Sequence, residues 1–264
     1  MKDSHNSIRT INFQGLKIGG ETSFPIFNPM YALNLSVKDN LDFNKINSTH
    51  ADIIALRFDI DTTTQADETI EIFKKALNNI TKPLMLSGSG KNEIDVILFP
   101  KLINMLDREV IINSVNENTY KEIIPYTSRH GHTVVLKSPI DINLAKELNI
   151  LSADLGQPLD KILIDTDIGG LGYGLEYGYS IMEKIKLEGL NGDTYLNMPM
   201  ISFACLESLK TKEAKTESIE ECWGKLEERR LYIEIASASA AKACGADIIV
   251  MQNEDAIKAV KEIE

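Results

Sequence analysis

The chain has 264 residues, of which 43% are hydrophobic and 25% are charged, and its formal net charge is -11. This composition fits a folded globular protein and argues against a disordered or membrane-spanning chain. The acidic balance argues against nucleic-acid binding, which requires clustered Lys and Arg. The polar segment 1–10 lacks the apolar core of a signal peptide. We therefore expect a cytoplasmic protein with neither a nucleic-acid nor a membrane partner.

The three cysteines, Cys205, Cys222 and Cys244, are far apart in the sequence and form no Cys-x-x-Cys pair. Disulfide frameworks need paired cysteines, and zinc or iron-sulfur sites need closely spaced ones. We therefore expect reduced, structural thiols and no iron-sulfur cluster in this chain.

The N-terminal part of the chain has the weakest pattern. Residues 8–27 alternate between apolar and polar side chains, with turn signals at Gly15 and at Gly19-Gly20, and this predicts a β-hairpin. Residues 28–48 show no regular pattern. We interpret residues 1–50 as an N-terminal extension that contains the hairpin.

From residue 52 onward, short β-rich apolar runs alternate with helical segments. Eight runs predict strands, at 52–59, 83–89, 110–115, 133–138, 161–167, 198–204, 231–238 and 247–252. Eight strand-helix units in about 250 residues are typical of a (β/α)8 barrel, whereas doubly wound open sheets usually have fewer strands. We therefore predict an α/β fold with a single TIM barrel over residues 51–264, its bottom closed by the hairpin.

The segment between the fourth and fifth predicted strands has clear helix signals. Ser138 is placed to act as the N-cap, with Pro139 at the first helical position, and Gly156 lies where a C-terminal cap belongs. Apolar residues recur between them at helical spacing, at Leu144, Leu148, Leu151 and Leu155.

Two other helical segments are less regular. Pro100 interrupts the pattern of residues 92–106, so this helix is predicted either to kink or to begin near Phe99. Segment 210–230 is strongly charged with few apolar positions, and we predict a solvated helix there.

A glycine-rich loop follows the fifth predicted strand. Gly169, Gly170, Gly172 and Gly174 precede a helical pattern that begins at Leu175. Such a loop lets a flat or anionic ligand approach the backbone. Its spacing, G-G-x-G-x-G, matches neither the dinucleotide fingerprint nor the phosphate-binding P-loop. The ring of Tyr173, inside this loop, is placed either to lie against a flat ligand or to pack on the barrel.

Polar side chains close most of the predicted strands. Ligands of (β/α)8 barrels bind at the C-terminal strand ends, although any one of these residues could instead cap a helix or a turn. Together they predict a mouth with many acceptors and few cations, which suits an amide, a pterin or the edge of a corrin better than a phosphate. The candidates are Asp59, Asp61, Ser87, Ser89, Asn113, Asn116, Ser138, Asp165, Asp167, Ser237 and Ser239.

The pair His130 and His132 flanks Gly131 and could suggest metal binding or acid-base chemistry. The pair immediately precedes the fourth predicted strand, so it lies at the bottom of the barrel, away from the expected site. We predict a structural role, as a helix C-terminus capped by histidine and glycine.

Four blocks of the sequence stand out together, and they span nearly the whole chain. They include Gly19-Gly20-Glu21-Thr22, Gly131-His132 with 138–146, 169–177, and 199–201 with Glu207, Lys210, 212–214 and 245–251. In their order and spacing these blocks resemble the small (delta) subunit of the corrinoid iron-sulfur protein of the carbon monoxide dehydrogenase/acetyl-CoA synthase system. Two departures from the family pattern are Gly88-Ser89-Gly90-Lys91, where Gly-Cys-Gly-Asn is expected, and Thr166, where a proline is expected.

The resemblance implies an accessory TIM-barrel subunit that pairs with a large subunit. In that family the large subunit carries the iron-sulfur cluster and most of the corrinoid (cobalamin) pocket. The cobalt accepts a methyl group from methyltetrahydrofolate through a separate methyltransferase and passes it to acetyl-CoA synthase, so both enzymes are expected as transient partners. The small subunit is then expected to shield the corrinoid, with corrin-facing residues Ser87, Asn113, Asn116, Ser138, Asp165, Gly169, Gly170, Gly172 and Tyr173.

Three other functions remain open on the sequence alone. One is an autonomous pterin-binding methyltransferase, in which Asn113 and Asp165 would hydrogen-bond the pterin edge. Another is a pure assembly subunit whose barrel mouth contacts a protein and no cofactor. A lyase or aldolase would need a strand-end lysine, and Lys137 is the candidate.

Overall fold

The computed structural model describes residues 7–24, 26–166, 174–218 and 220–263. Eight parallel strands close into a barrel, which confirms the predicted (β/α)8 fold. Each strand pairs with the next in the chain, and β10 closes the ring by pairing with both β9 and β3. The barrel strands are β3 (Met30–Ser36), β4 (Ile53–Arg57), β5 (Leu84–Ser87), β6 (Ile111–Val115), β7 (Thr133–Lys137), β8 (Ile162–Asp165), β9 (Met200–Ser202) and β10 (Ile248–Met251).

Helices follow the barrel strands along the chain and cover the outside of the sheet. Outward-facing strand residues such as Ile54, Leu56 and Ile112 are fully buried against apolar helix residues such as Phe73 and Leu98. The helices are α1 (Phe43–Ser48), α2 (Gln65–Asn79), α3 (Asn92–Ile103), α4 (Tyr120–His130), α5 (Ile142–Asp154), α6 (Leu175–Leu190), α7 (Ala204–Ser208), α8 (Leu226–Ala243) and α9 (Glu254–Glu262). None of these described helices has the length and apolar character needed to cross a bilayer.

The first barrel strand is β3, which the sequence pattern did not reveal. Asn34 and Ser36 interrupt its apolar run, because both lie on the face of β3 that forms the barrel interior near the open end. The barrel therefore begins at Met30, inside the segment 1–50 that was assigned to the extension.

The strand predicted at 231–238 is wrong, because these residues lie within α8. The segment is rich in residues that favour strands, but Leu231, Ile235 and Ala238 recur at helical spacing and pack against the apolar core. Tertiary packing of this face outweighs the local strand propensity. Ser237 and Ser239 are consequently helical residues and close no strand.

The charged helix predicted for 210–230 is wrong for most of this segment, since only residues 226–230 are α-helical, as the first turns of α8. In the described part of this segment, turns and a short 3-10 helix at Glu221–Trp223 connect α7 to α8. Two arginines of α8 hold the connection, since Arg229 Nη2 donates to the carbonyl of Thr216 at 2.8 Å and Arg230 Nη1 donates to that of Ala214 at 3.0 Å.

The helix predicted after Ser138 begins later than expected. Its N-cap is Asp141, whose carboxylate accepts hydrogen bonds from the backbone N–H groups of Asn143 and Leu144 at 2.8 and 3.1 Å. Gly156 follows its C-terminal end with a positive φ of 93°, as a terminating glycine should. The segment interrupted by Pro100 forms the single helix α3, which begins at Asn92 and includes the proline.

The bottom of the barrel is filled by the N-terminal hairpin, β1 (Thr10–Phe13) and β2 (Leu16–Gly19). The side chains of Ile11, Phe13 and Ile18 are at most 1% exposed and pack in one cluster with the inward-facing residues of the barrel strands. A side chain at Gly19 would overlap the carbonyl oxygen of Arg9, with its Cβ only 2.2 Å away. Only glycine therefore permits this close approach.

Candidate functional site

A cavity of about 610 Å³ opens at the C-terminal ends of the strands. Because side chains alternate along a strand, the residue two positions beyond an inward apolar residue also points inward, one layer higher. By this rule Arg57 follows the inward residue Ala55 and Ser87 follows Met85, and the same relation holds on four further strands. Six strands thus change from apolar to polar on their inward face toward the mouth, at Asn34, Arg57, Ser87, Asn113, Lys137 and Asp165.

The floor of the cavity is a small polar layer. Asn113 Nδ2 donates to Ser87 Oγ at 3.0 Å, and these two residues lie side by side in the register of β5 and β6. Asn113 Oδ1 and Asn34 Nδ2 are both buried and have no hydrogen-bond partner. Asn113 and Asn34 are only 8% and 6% exposed and both line the cavity. Such unpaired buried atoms are unfavourable unless a ligand or water completes them.

An ion pair stands on one side of the opening. Arg57 binds Asp59 through two contacts, Nε to Oδ1 at 2.5 Å and Nη2 to Oδ2 at 2.9 Å. Burial alone would raise the pKa of Asp59, but hydrogen bonds from Arg57 and Ser36, together with the charges of Arg57 and Lys38, outweigh burial and hold that pKa below its usual value. Both side chains are partly exposed, so the pair gives shape and charge to the rim more than stability.

A buried carboxylate shapes the loop after β5. Asp95 accepts hydrogen bonds from the backbone N–H and the hydroxyl of Ser89, at 2.7 and 2.8 Å, and from the N–H of Gly90 at 3.1 Å. Burial raises the pKa of Asp95 despite these three donors. A Cβ at Gly88 would lie 2.7 Å from the Asp95 carboxylate, so the glycine makes room for this contact.

The opposite wall of the cavity comes from the end of β9, α7 and α8. Phe203, Leu206 and Leu209 form its apolar part. Lys210, paired with Glu207 at 2.6 Å, and Arg230 add two cations. With Arg57 and Lys137, four cationic side chains line the cavity, so the expectation of few cations is wrong.

The structure places most of the predicted site residues in three groups. Ser87, Asn113 and Asp165 line the cavity, as do Asp59 and Ser89. The second group, Asn116 and Ser138, makes hydrogen bonds with backbone groups instead. Asn116 Oδ1 accepts from the N–H of Asn118 in the turn before α4, and the Ser138 N–H donates to the carbonyl of Asp165. The third group, Gly169, Gly170, Gly172 and Tyr173, lies outside the described residues, as does Asp167.

The histidine pair lies at the other end of the barrel. Gly131 ends α4 with a φ of 69°, and His132 Nδ1 accepts from the N–H of Val110 at 3.3 Å. Burial, together with the nearby charges of His130 and Lys161, lowers the pKa of His132 to about 4. These features agree with the predicted structural role. Within the described ranges, no three His, Cys, Asp or Glu side chains are grouped closely enough to hold a metal ion.

Among the cavity residues that the sequence patterns missed or undervalued are Asn34, Arg57, Lys137 and Arg230. Arg57 and Lys137 could have been found by applying the alternation rule to the ends of β4 and β7. Asn34 could not be found by this rule, because the sequence pattern does not reveal β3. Arg230 could not be predicted as a cavity residue, because its segment reads as a strongly charged, solvated helix.

These features define a (β/α)8 barrel with a polar cavity at its C-terminal mouth, and the solved structures agree on the fold. The dihydropteroate synthase of Xanthomonas albilineans, determined with 4-aminobenzoic acid, superimposes with a TM-score of 0.65 over 97% of both chains. Its sequence is only 12% identical, so this similarity concerns the fold alone.

Sequence comparison identifies the family. A family model described as CO dehydrogenase/acetyl-CoA synthase delta subunit matches residues 30–263, and the chain belongs to this family. Subunit delta of the acetyl-CoA decarbonylase/synthase complex from Methanopyrus kandleri is 33% identical over 74% of this chain and 49% of its own length. The Archaeoglobus fulgidus subunit is 31% identical over 76% and 46%. The chain therefore spans about half the length of these curated relatives.

Proposed function

We propose that this chain is the small subunit of a corrinoid iron-sulfur protein and that its barrel mouth covers the corrinoid carried by a large subunit. When bound, the corrinoid supplies the cobalt that accepts and releases a methyl group. This chain's part is to exclude water and oxidants from the metal and to orient the corrin through its amide side chains. The methyl donor is methyltetrahydrofolate, delivered by a methyltransferase, and the acceptor is acetyl-CoA synthase.

The observation that carries the proposal is a pair of adjoining surfaces. Beside the polar mouth lies a second, mainly apolar groove of about 620 Å³, lined by residues that include Leu175, Trp223 and Ile233. Glu207 and Lys210 line both cavities, so the two surfaces are continuous. Trp223 is 54% exposed, and a large exposed aromatic side chain of this kind is typical of a protein interface. A protein partner seated in the groove would hold its own cofactor over the mouth.

The residues of the mouth suit the edge of a corrin. A corrin carries amide groups around its ring, and these need both hydrogen-bond donors and acceptors. The mouth offers both kinds, since amide, hydroxyl, carboxylate and cationic side chains line it. A macrocycle is too large to enter a cavity of this size, so the ring would lie across the opening with its amide groups reaching inward.

Co-purification tests the proposal. The chain would be purified alone and after co-expression with a candidate large subunit, and the visible spectrum and mass of each preparation recorded. We expect corrinoid absorbance only in a stable two-subunit complex, and Trp223→Ala to weaken the complex while leaving the chain folded. Failure to associate with any corrinoid-bearing large subunit would overturn the proposal. If substitutions in the mouth leave both the complex and its corrinoid spectrum unchanged, only an assembly role would remain for this chain.

A second candidate is a pterin-binding methyltransferase that acts alone. Asn113 and Asp165, the residues assigned to the pterin edge from sequence, both line the same cavity, and this observation favours it. Methyl transfer from methyltetrahydrofolate to free cobalamin by the isolated chain would support this candidate. The absence of turnover in a chain of native melting temperature would exclude it.

A further inference from the structure

We infer that the mouth and the apolar groove together bind one amphipathic segment of the large subunit, which places an acidic side chain on Arg230 and a bulky apolar side chain in the groove. The inference rests on the proposed function and goes beyond it, since it states the chemistry by which the partner is recognised. It gives Arg230 a role in choosing and orienting the partner, separate from any contact with the corrin.

Helix α8 connects the two cavities. Arg230 lines the mouth, whereas Ile233 and Ala236 line the groove. Helix residues three or four positions apart lie on one face with their Cβ atoms about 5–6 Å apart, so Ile233 lies next to Arg230. By the same spacing Tyr232, which is 67% exposed, lies next to Ala236 and borders the groove. A partner side chain in the groove therefore lies about one helical turn from the guanidinium.

Arg230 has unused hydrogen-bonding capacity. Its Nη1 donates to the carbonyl of Ala214 at 3.0 Å, and no carboxylate of the described residues forms an ion pair with it. The side chain is only partly buried, so its other donors are accessible at the rim. Its neighbour Arg229 differs, because it is 6% exposed and donates to the carbonyl of Thr216 inside the fold. A guanidinium that is held in place and has accessible donors can bind a carboxylate in a bidentate manner.

The carboxylates around the junction of the two cavities leave Arg230 available. Glu234 accepts hydrogen bonds from the backbone N–H groups of the two residues that follow β10, and Glu207 pairs with Lys210 at 2.6 Å. Glu213 lines the groove and makes no ion pair with a described residue. Because arginine is enriched at protein interfaces and glutamate is depleted, Arg230 is better suited than Glu213 to be covered by a partner. The partner side chain that meets Arg230 is therefore acidic.

Exposed aromatic side chains favour a protein segment over a small free ligand. Trp223 lines the groove and is 54% exposed, and Tyr232 borders it. A small ligand inside the groove would leave the outer faces of both rings in water, whereas a protein surface across the groove would bury them. The partner must also reach the mouth if it holds the corrinoid there, and the two cavities share Glu207 and Lys210. One segment can therefore occupy both.

Charge variants test the sign of the partner side chain. A corrinoid-bearing large subunit would be titrated with this chain in a calorimeter. Arg230→Gln should weaken the complex about tenfold and Arg230→Glu about hundredfold, with Arg230→Lys closer to wild type. Glu213→Gln should leave binding unchanged or tighten it, because it removes a negative charge beside an acidic segment. The matched control is Arg129→Gln, an exposed arginine at the C-terminal end of α4, which should change nothing.

Zero-length cross-linking locates the contact. A carbodiimide joins an amine to a carboxylate that touches it, so Arg230→Lys places a reactive amine at the proposed position. In the complex, position 230 of this variant should be joined to an aspartate or glutamate of the large subunit, which peptide mapping by mass spectrometry detects. Arg129→Lys, at the opposite end of the barrel, should give no cross-link between the subunits at position 129. Melting temperatures identify any variant that has not folded.

Three results would overturn the inference. The first is an affinity that Arg230→Gln and Arg230→Glu leave unaltered. The second is tighter binding with Arg230→Gln and weaker binding with Glu213→Gln, which would show a basic partner segment. The third is an intact complex in which position 230 is joined to a second copy of this chain, or to no carboxylate of the large subunit.

Trp223→Ala separates this inference from the proposed function. If this substitution weakens the complex and the Arg230 variants do not, the proposed function stands and the inference fails. If no corrinoid-bearing large subunit associates with the wild-type chain, both fail.

Discussion

The two ends of the barrel interior differ in their side chains and in whether they are closed. At the bottom, the hairpin inserts Ile11, Phe13 and Ile18 among inward-facing apolar residues and closes the barrel. At the mouth, the last inward positions are polar or charged, and a cavity of about 610 Å³ stays open. The apolar packing that stabilises the fold is therefore densest at the bottom, while the open mouth is where (β/α)8 barrels are expected to bind ligands. Substitutions at the two ends should accordingly have different consequences.

The largest effect is expected from Phe13→Ala at the bottom. Phe13 is 0% exposed, and its loss should leave a cavity that costs about 3–5 kcal/mol of unfolding free energy. Urea unfolding measures the change. The control is Asn12→Ala, an exposed neighbour on the same strand, which should change stability by less than about 0.5 kcal/mol. Equal effects of the two substitutions would show that the hairpin does not plug the barrel.

A pH-dependent loss of stability should also originate at the bottom. The pKa of His132 falls from 6.5 to about 4 on folding, chiefly through burial. Between these values the unfolded chain takes up a proton that the folded chain does not, so the free energy of unfolding should decrease as pH falls. The loss attributable to His132 should approach about 3 kcal/mol near pH 4.

Comparison of variants isolates this contribution, since the raised pKa values of Asp95 and Glu234 act in the opposite direction. Urea unfolding of wild type and His132→Asn would be measured at about pH 7 and about pH 4.5. The His132→Asn variant should lose less stability over that interval, whereas His130→Asn should change the loss only slightly, because the charge of His130 is a smaller cause of the lowered His132 pKa than burial. An identical pH dependence in all three proteins would contradict the assignment.

A smaller effect on stability is expected at the mouth, where polar side chains replace the apolar packing of the bottom. Ser87→Ala should cost about 1–2 kcal/mol, because Asn113 Nδ2 then loses its partner. The double variant Ser87→Ala with Asn113→Leu should recover to within about 1 kcal/mol of wild type, since both polar partners are removed together. Additive losses in urea unfolding would mean that the polar floor is needed for folding.

Much of the fold was predictable from sequence because seven of the eight barrel strands are compact apolar runs between helices. The exceptions have local causes. In β3 the inward polar residues Asn34 and Ser36 interrupt the apolar pattern that indicates a strand. In α8 the composition of residues 231–238 favours a strand although the segment is helical. One strand was missed and one was predicted wrongly, so the predicted number of strands was still eight. The fold class was therefore correct although the strand predicted at 231–238 was not.

The site was predictable only in part. Ser87, Asn113 and Asp165 follow from the rule that ligands bind at C-terminal strand ends, and all three line the cavity. Asn116 and Ser138 satisfy the same rule but hydrogen-bond to backbone groups instead, because strand-end polar residues also cap turns. Arg230 reaches the mouth from a helix, and its position depends on the tertiary packing of the irregular connection that precedes it.

The claim that the mouth faces the corrinoid is tested most directly by the rate at which dioxygen oxidises the reduced cobalt in the two-subunit complex. Gln252 is an exposed residue of the mouth, and Gln252→Trp should hold the corrin away from the rim and admit solvent. We predict faster oxidation in this variant, whereas Arg129→Trp at the opposite end should match wild type. Equal rates in all three complexes, at equal mass and corrinoid content, would contradict the claim.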